Sequence, residues 1–329
     1  MPIGNTLLPT KRRFAAGIDL GPREVRLALL SQRGRGAGSV SVECLAVAPL
    51  AGGAMAGAQI VDRGAVASAL CDAFAQLPDG CATRKLSCAM AVPGSATVVA
   101  SVALSRLAPR TPRASPMRVL AGIEPAVMAE AERVAGIERH ALAVDWFIDD
   151  APSDASRSAP SVTIAATPRQ HLEARVEAAA AAGIELIALD GEPPAALRAL
   201  RHAAEFELSP RERYAALWVG GDGVYGWRIA DEVIEAHIRY PAPEHDDLAD
   251  ALRELADGGA LGCALLGGEL DLLGSVGLAV ADVGDLLGCS VLPFECGTFC
   301  DGSSRAPVEL RQASSFAVAF GLALRGVFE

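Results

Sequence analysis

The chain has 329 residues, of which 51% are hydrophobic and 21% charged, and this composition is typical of a globular protein of about two domains. Its formal net charge of −11 excludes a general nucleic-acid binder, because no surplus of basic charge is available to meet phosphates. No segment offers the roughly 18–20 uninterrupted apolar residues of a membrane span, and the N-terminal residues lack the apolar core of a signal peptide, so we expect a cytoplasmic protein.

The eight cysteines contain no C-x-x-C pair and therefore do not indicate a disulfide scaffold. Cys289, Cys296 and Cys300 form the only cluster in the sequence, with no histidine close by and a spacing unlike that of zinc sites. We expect reduced, buried thiols and no metal site.

The first predicted element is a hairpin, with one strand ending at Ile18 and a second over residues 27–30. The turn between them carries Asp19 and Gly21. Backbone N–H groups of such a turn can face a phosphate, and the acid can reach a hydrated Mg²⁺. The same pattern also occurs in ordinary hairpin turns, so the turn alone leaves both interpretations open.

Strands and helices alternate through the rest of the first half. Apolar periodicity predicts strands over residues 41–48, 85–92, 98–104, 141–148, 162–167 and 184–189. It predicts helices over residues 64–77, 125–135, 171–182 and 194–202.

The second half begins with the same order of elements as the first. Three consecutive strands are predicted over residues 214–219, 224–229 and 232–240, and the turn Gly220-Gly221-Asp222 follows the first of them. A one-faced helix over 248–255 precedes a strand over 261–266 that ends in Gly267 and Gly268, and further elements are predicted over 271–287, 291–294 and 313–327. This repetition predicts two similar lobes with a cleft between the two hairpin turns.

Several stretches resemble the PilM family of type IV pilus assembly proteins, which has the actin/sugar-kinase/Hsp70 ATPase fold. They are Gly-Ile-Asp-Leu-Gly at 17–21, Ala-Val-Pro-Gly-Ser-Ala at 91–96, Leu-Asp-Gly-Glu-Pro at 189–193 and Ala-Phe-Gly-Leu-Ala-Leu-Arg-Gly at 319–326. The resemblance implies an α/β, two-lobed actin-like (ribonuclease H-like) fold with an inserted subdomain of the FtsA/PilM type. It also implies a first lobe over 14–97 and 169–208, an inserted subdomain over 98–168 and a second lobe over 209–329.

The chain departs from the family in the predicted nucleotide site. Trp218 stands where the family has an acid at the start of the second phosphate turn, and Glu269 follows Gly268 where small residues are usual. Only residues 241–260 remain for the fourth subdomain, where a small sheet with a helix needs roughly 40 residues, so this subdomain is expected to be reduced. The resemblance therefore implies a vestigial nucleotide site formed by Asp19, Gly21, Gly220, Gly221, Asp222, Gly267 and Gly268.

The expected function follows from that resemblance and is not enzymatic, with no catalytic residue and no favoured cofactor. The family implies a cytoplasmic adaptor at the inner membrane, whose groove between the first lobe and the inserted subdomain binds the N-terminal tail of a PilN-like membrane protein. The candidate groove residues are Pro93, Gly94, Ser95, Val144 and Trp146, and Trp146 is either a groove anchor or part of the core.

Two alternatives remain open at this point. The first is an active ATPase or sugar kinase that uses ATP and Mg²⁺, which Asp19 and the two-lobed layout favour. The second is the cytoplasmic part of a GspL-like component of type II secretion.

Overall fold

The computed structural model describes residues 12–34, 40–78, 86–107, 116–149, 160–241, 248–302 and 304–328. Its strands are β1 (Arg13–Leu20), β2 (Glu24–Gln32), β3 (Val40–Pro49), β4 (Met55–Ala56), β5 (Gln59–Ile60), β6 (Ser87–Val92), β7 (Val98–Ala103), β8 (Leu142–Asp149), β9 (Ser161–Pro168), β10 (Leu186–Gly191), β11 (Tyr214–Gly220), β12 (Gly223–Ala230), β13 (Val233–Pro241), β14 (Cys263–Gly268) and β15 (Ser290–Pro293). Its α-helices are α1 (Arg63–Phe74), α2 (Leu104–Leu107), α3 (Pro116–Ala135), α4 (Arg169–Ala181), α5 (Glu192–Glu207), α6 (Leu248–Ala256), α7 (Val280–Leu287), α8 (Val308–Arg311) and α9 (Ala317–Phe328). The described residues do not include residue 85 of one predicted strand. They also exclude parts of the predicted subdomains, namely residues 108–115, 150–159 and 242–247.

Two five-stranded sheets have the same topology. The first sheet has the strand order β10-β6-β1-β2-β3 and the second has the order β13-β12-β11-β14-β15. In each sheet three consecutive strands pair antiparallel, and the fourth and fifth strands add in parallel beside the first. This repetition confirms the predicted two-lobed actin-like fold.

The central strands are buried because helices cover both faces of each sheet, and such strands appear in sequence as nearly continuous apolar runs. Six consecutive residues of β1, from Ala15 to Leu20, are buried. One face of the first sheet packs against α1 and α4, and the other packs against α5 and α9. Gly17 allows the close approach of α9, since a Cβ at this position would lie 1.9 Å from the carbonyl oxygen of Ala319.

Helices α5 and α9 form a layer shared by both sheets. Buried residues of the first sheet (Ala15, Leu30) and of the second sheet (Ala216, Leu265) belong to one continuous core with these helices. The lobes are therefore joined along this layer, and the cleft opens beyond the carboxyl ends of β1 and β11.

A separate three-stranded sheet follows β6 and has the order β7-β9-β8; we call it the inserted sheet. Helix α3 covers one of its faces and contributes Ile123, Val127 and Ala131 to a small core. The predicted start of this helix at residue 125 is wrong, because α3 begins at Pro116 and contains Pro125. The proline removes one backbone donor, but the three buried residues at intervals of four keep the helix packed on the sheet.

Element ends differ from prediction where a tighter turn replaces an α-helix. The predicted helical segment 271–287 consists of a 3₁₀ segment, Leu270–Val276, and α7, with the left-handed residue Gly277 between them. The closing helix begins at Ala317, after a 3₁₀ turn over Ser314–Phe316, and not at residue 313. Between β13 and β14 the described residues form one helix, α6.

No helix in the described ranges is both long enough and apolar enough to cross a membrane.

Candidate functional site

The turn between β1 and β2 places a buried acid at the cleft. Asp19 is 5% exposed and lies near the carboxyl end of β1, and the backbone N–H of Gly21 donates to the carbonyl oxygen of Glu24 at 3.0 Å. Burial raises the pKa of Asp19 above its usual value, and Arg26 opposes that rise. The predicted hairpin is present, and Asp19 lies in its first strand, opposite Arg26 and one residue before the end of β1.

Arg26 is the main partner of this acid, and sequence reasoning did not single it out. Its guanidinium lies 3.3 Å from Asp19 Oδ2, 2.7 Å from Glu24 Oε1 and 2.9 Å from Glu269 Oε1. Burial alone would lower the pKa of Arg26, but the three carboxylates raise it. The pair with Glu269 joins the opening hairpin to the second sheet across the cleft.

The second hairpin carries an indole at the position where the sequence resemblance implied an acid. Trp218 is 4% exposed, and its ring lies against Gly220, where a Cβ would be 2.4 Å from Trp218 Cη2. The indole has one N–H donor and no acceptor, so it contributes no charge to the cleft. Asp222, on the turn, accepts a hydrogen bond from the hydroxyl group of Tyr225 at 3.2 Å.

The end of β14 completes this side of the cleft. Gly268 has a φ of 101° and lies so close to β11 that a Cβ would be 2.0 Å from the carbonyl oxygen of Val219. The backbone N–H of Glu269 donates to the same oxygen at 2.8 Å. Glu269 is thereby held at the cleft edge, where its carboxylate reaches Arg26.

A cavity of about 280 Å³ lies between the two hairpins. Six of the seven predicted nucleotide-site residues line it: Asp19, Gly21, Gly220, Gly221, Asp222 and Gly268. The seventh, Gly267, instead packs beneath Ala317 of α9. Among the described residues, no group of three His, Cys, Asp or Glu side chains is arranged to hold a metal ion.

The cavity also contains an acid that the sequence did not mark as a site residue. Glu192, at the start of α5, lines it and accepts a hydrogen bond from the backbone N–H of Gly94 at 3.3 Å. Burial raises the pKa of Glu192 well above its usual value, and Asp19 and Asp222 raise it further.

The predicted partner-binding residues fall into two groups. Pro93 and Ser95 line the cleft cavity, and Gly94 is buried beside them. Val144 and Trp146 lie on β8 and pack against the core under α3. Trp146 is therefore a partly buried residue packed against this core.

The opposite face of the inserted sheet carries exposed apolar residues that sequence reasoning missed. Val99 on β7 is 60% exposed and Phe147 on β8 is 57% exposed. Alternation along a strand places Phe147 on the face opposite Trp146. The sequence did not indicate which of Trp146 and Phe147 faces the core, because both are large and apolar.

The family model of the type IV pilus assembly protein PilM matches residues 17–217. The chain belongs to the PilM family. A solved chain described as "PilM-PilN type IV pilus biogenesis complex" matches this PilM-family chain with a TM-score of 0.69 and 19% identity, over 95% of this chain and 98% of that one. This likeness supports the fold.

Two other solved structures are less similar. The ethanolamine utilization protein EutJ from Carboxydothermus hydrogenoformans matches with a TM-score of 0.44 and 14% identity, over 96% of this chain and 91% of that one. The cytoplasmic domain of EpsL, an inner membrane component of the type II secretion system of Vibrio cholerae, matches with a TM-score of 0.43 and 13% identity, over 78% and 82%. A comparison with curated protein sequences finds no match.

Proposed function

We propose that this PilM-family chain is an adaptor at the cytoplasmic face of the inner membrane that binds the extended N-terminal tail of a PilN-like membrane protein. Family membership and the likeness to a chain from a PilM–PilN complex support the partner. We also propose residues 14–97 with 169–208 as the first lobe, 98–168 as the inserted subdomain and 209–329 as the second lobe.

The observation that carries the adaptor proposal is the open face of the inserted sheet. Helix α3 covers the other face, while Val99 and Phe147 remain exposed on this one. Among the strands that the structure describes, β7 and β8 pair with β9 alone, each on one side. An extended peptide needs unpaired backbone groups along a strand and apolar contacts for its alternate side chains. The outer edges of β7 and β8 offer the former, and Val99 and Phe147 offer the latter.

We further propose that the cleft binds no nucleotide and performs no reaction. The cavity of about 280 Å³ lies at the lower limit of ligand pockets, which measure about 300–1,000 Å³. Asp19 and Glu269 already hold Arg26, and Trp218 provides no acid for a hydrated metal ion. Further carboxylates, Glu192 and Asp222, would repel an anionic ligand. These residues do not fit a magnesium–nucleotide complex.

Titration calorimetry with a peptide of the PilN-like tail from the same cell tests the adaptor. The wild-type chain is expected to bind with a dissociation constant of about 1 µM or tighter. Val99→Ser should weaken binding about tenfold, whereas Val308→Ser, which alters an equally exposed valine on α8, should leave it unchanged. Absence of binding to the wild type contradicts the proposal.

Titration with ATP and Mg²⁺ tests the cleft. No saturable binding is expected up to about 1 mM, the weak end of ordinary ligand affinities. A magnesium-dependent affinity that disappears in Asp19→Ala would instead support an ATPase or sugar kinase.

A further inference from the structure

The short turn from Pro93 to Ala96 is where the inserted sheet leaves the first lobe. It joins β6 to β7 through a single 3₁₀ turn, Gly94–Ala96. The return connection from β9 to α4 is tied to the same place, because the Thr167 hydroxyl group donates to the carbonyl oxygen of Ala96 at 2.8 Å. The position of this turn therefore sets the position of the inserted sheet.

Side chains from outside the inserted sheet hold this turn. Glu192 Oε2 accepts from the N–H of Gly94 at 3.3 Å, and Arg239 Nη2 on β13 donates to the carbonyl oxygen of Gly94 at 3.3 Å. The N–H of Ser95 lies close enough to the Asp222 carboxylate to lower the pKa of that side chain, against the larger rise caused by burial.

The residues of the second sheet that hold the turn also hold one another. Tyr225 donates its hydroxyl hydrogen to Asp222 Oδ2 at 3.2 Å, and the Arg239 guanidinium carbon lies 5.4 Å from the centroid of the Tyr225 ring. The fit at Gly94 is close: a Cβ there would lie 2.4 Å from Tyr225 Oη and 2.8 Å from Asp222 Oδ2. The turn is thus enclosed by the second hairpin and its neighbouring strand.

We propose that Glu192, Asp222 and Arg239 are positioning residues that fix the orientation of the inserted sheet through the Gly94–Ser95 turn. Glu192 and Asp222, which line the cleft cavity, thereby hold the base of the inserted sheet. The second lobe thereby controls the face that carries Val99 and Phe147. The consequence for partner affinity rests on the proposed function, whereas the orientation of the sheet does not.

The test compares hydrogen–deuterium exchange and tail binding in Asp222→Ala, Arg239→Gln and a control, Arg63→Gln. Arg63 pairs with Glu177 on an exposed surface and makes no contact with the turn. In Asp222→Ala and Arg239→Gln, amides of β7 and β9 should exchange about tenfold faster, because the inserted sheet opens locally more easily. The tail peptide should bind about tenfold more weakly to these variants, and the control should match the wild type in both measurements.

Rescue separates positioning from general stability. Asp222→Asn keeps an oxygen acceptor beside Ser95 and Tyr225 and should restore most of the slow exchange that Asp222→Ala loses. Tyr225→Phe removes only the donor to Asp222 and provides a milder variant if Asp222→Ala does not fold. It should accelerate exchange in β7 and β9 by about threefold, with smaller changes in β14 and β15.

The inference is overturned if amides of β7 and β9 exchange at wild-type rates in Asp222→Ala and Arg239→Gln, even where the tail binds. A uniform acceleration throughout both lobes also overturns it, since that pattern indicates ordinary destabilisation. A wild-type chain that does not bind the tail, with selective acceleration in the variants, contradicts the proposed function and leaves the inference supported.

Discussion

Replacing Arg26 by glutamine should destabilise the chain more than breaking any single exposed ion pair would. The Arg26 side chain is 11% exposed and the Asp19 side chain 6%, so the substitution leaves a buried carboxylate without its cation. Breaking a buried pair in this way costs about 3 kcal/mol or more. The unfolding entropy of about 2.1 cal/mol/K per residue gives about 0.7 kcal/mol/K for this chain, and the melting temperature should therefore fall by about 4 °C.

The loss should also depend on pH. Burial already raises the pKa of Asp19, and without Arg26 that pKa rises further. A carboxyl group whose pKa is higher in the folded state contributes stability at low pH and loses it as the pH rises through the folded-state pKa. The difference between Arg26→Gln and the wild type should therefore be smaller at pH 4 than at pH 7.

Thermal unfolding followed by circular dichroism at both pH values measures these effects. Arg253→Gln is the control, since it breaks an exposed pair with Asp250 on α6 and should leave the melting temperature unchanged. A melting temperature of Arg26→Gln within about 1 °C of wild type at pH 7, or an equal deficit at both pH values, would refute the argument.

Three further substitutions have defined outcomes. Glu192→Gln should raise the melting temperature at pH 7 and reduce the loss of stability between pH 5 and 8, because burial, Asp19 and Asp222 raise the pKa of Glu192; a lower melting temperature contradicts this. Phe320→Ala should cost about 3–5 kcal/mol in urea unfolding, since its ring is fully buried against Phe294 and Phe299. Asp62→Ala should cost about 1 kcal/mol in the same assay, because Asp62 caps α1 by accepting from the N–H of Ala65 at 2.9 Å.

Local patterns were sufficient to predict most of the elements and the two-lobed plan. The first strand is so uniformly apolar that it had to be covered on both faces, and the second half repeats its order of elements. The position of Asp19 after Ile18 also placed it correctly near the end of β1. These features depend on neighbours a few residues apart, which a sequence displays directly.

The internal chemistry of the cleft depends on distant residues and could not be predicted. Arg26 and Glu269 are 243 positions apart, and nothing in the sequence around either residue indicates that their side chains pair. Gly94 was expected in a peptide groove but is enclosed by Tyr225 and Asp222. Such contacts arise from how the two lobes pack, which local periodicity does not describe.

The inserted sheet shows a different limit. Alternation predicted the strand that contains Trp146 and Phe147, but both are apolar, and the sequence could not decide which faced α3. For α3 itself, Pro125 suggested a helix start, whereas the packing of Ile123 on the other side of the proline carries the helix past it.

The shared layer of α5 and α9 has a consequence for biosynthesis. Strand β1 is made long before α9, yet its residue Gly17 lies against Ala319 and Ala323 of that helix. Until α9 has been made, β1 lacks one of the two helices, α5 and α9, that cover this face of the first sheet. Native folding therefore waits until α9 has emerged, and truncated products expose an apolar surface to proteases and chaperones.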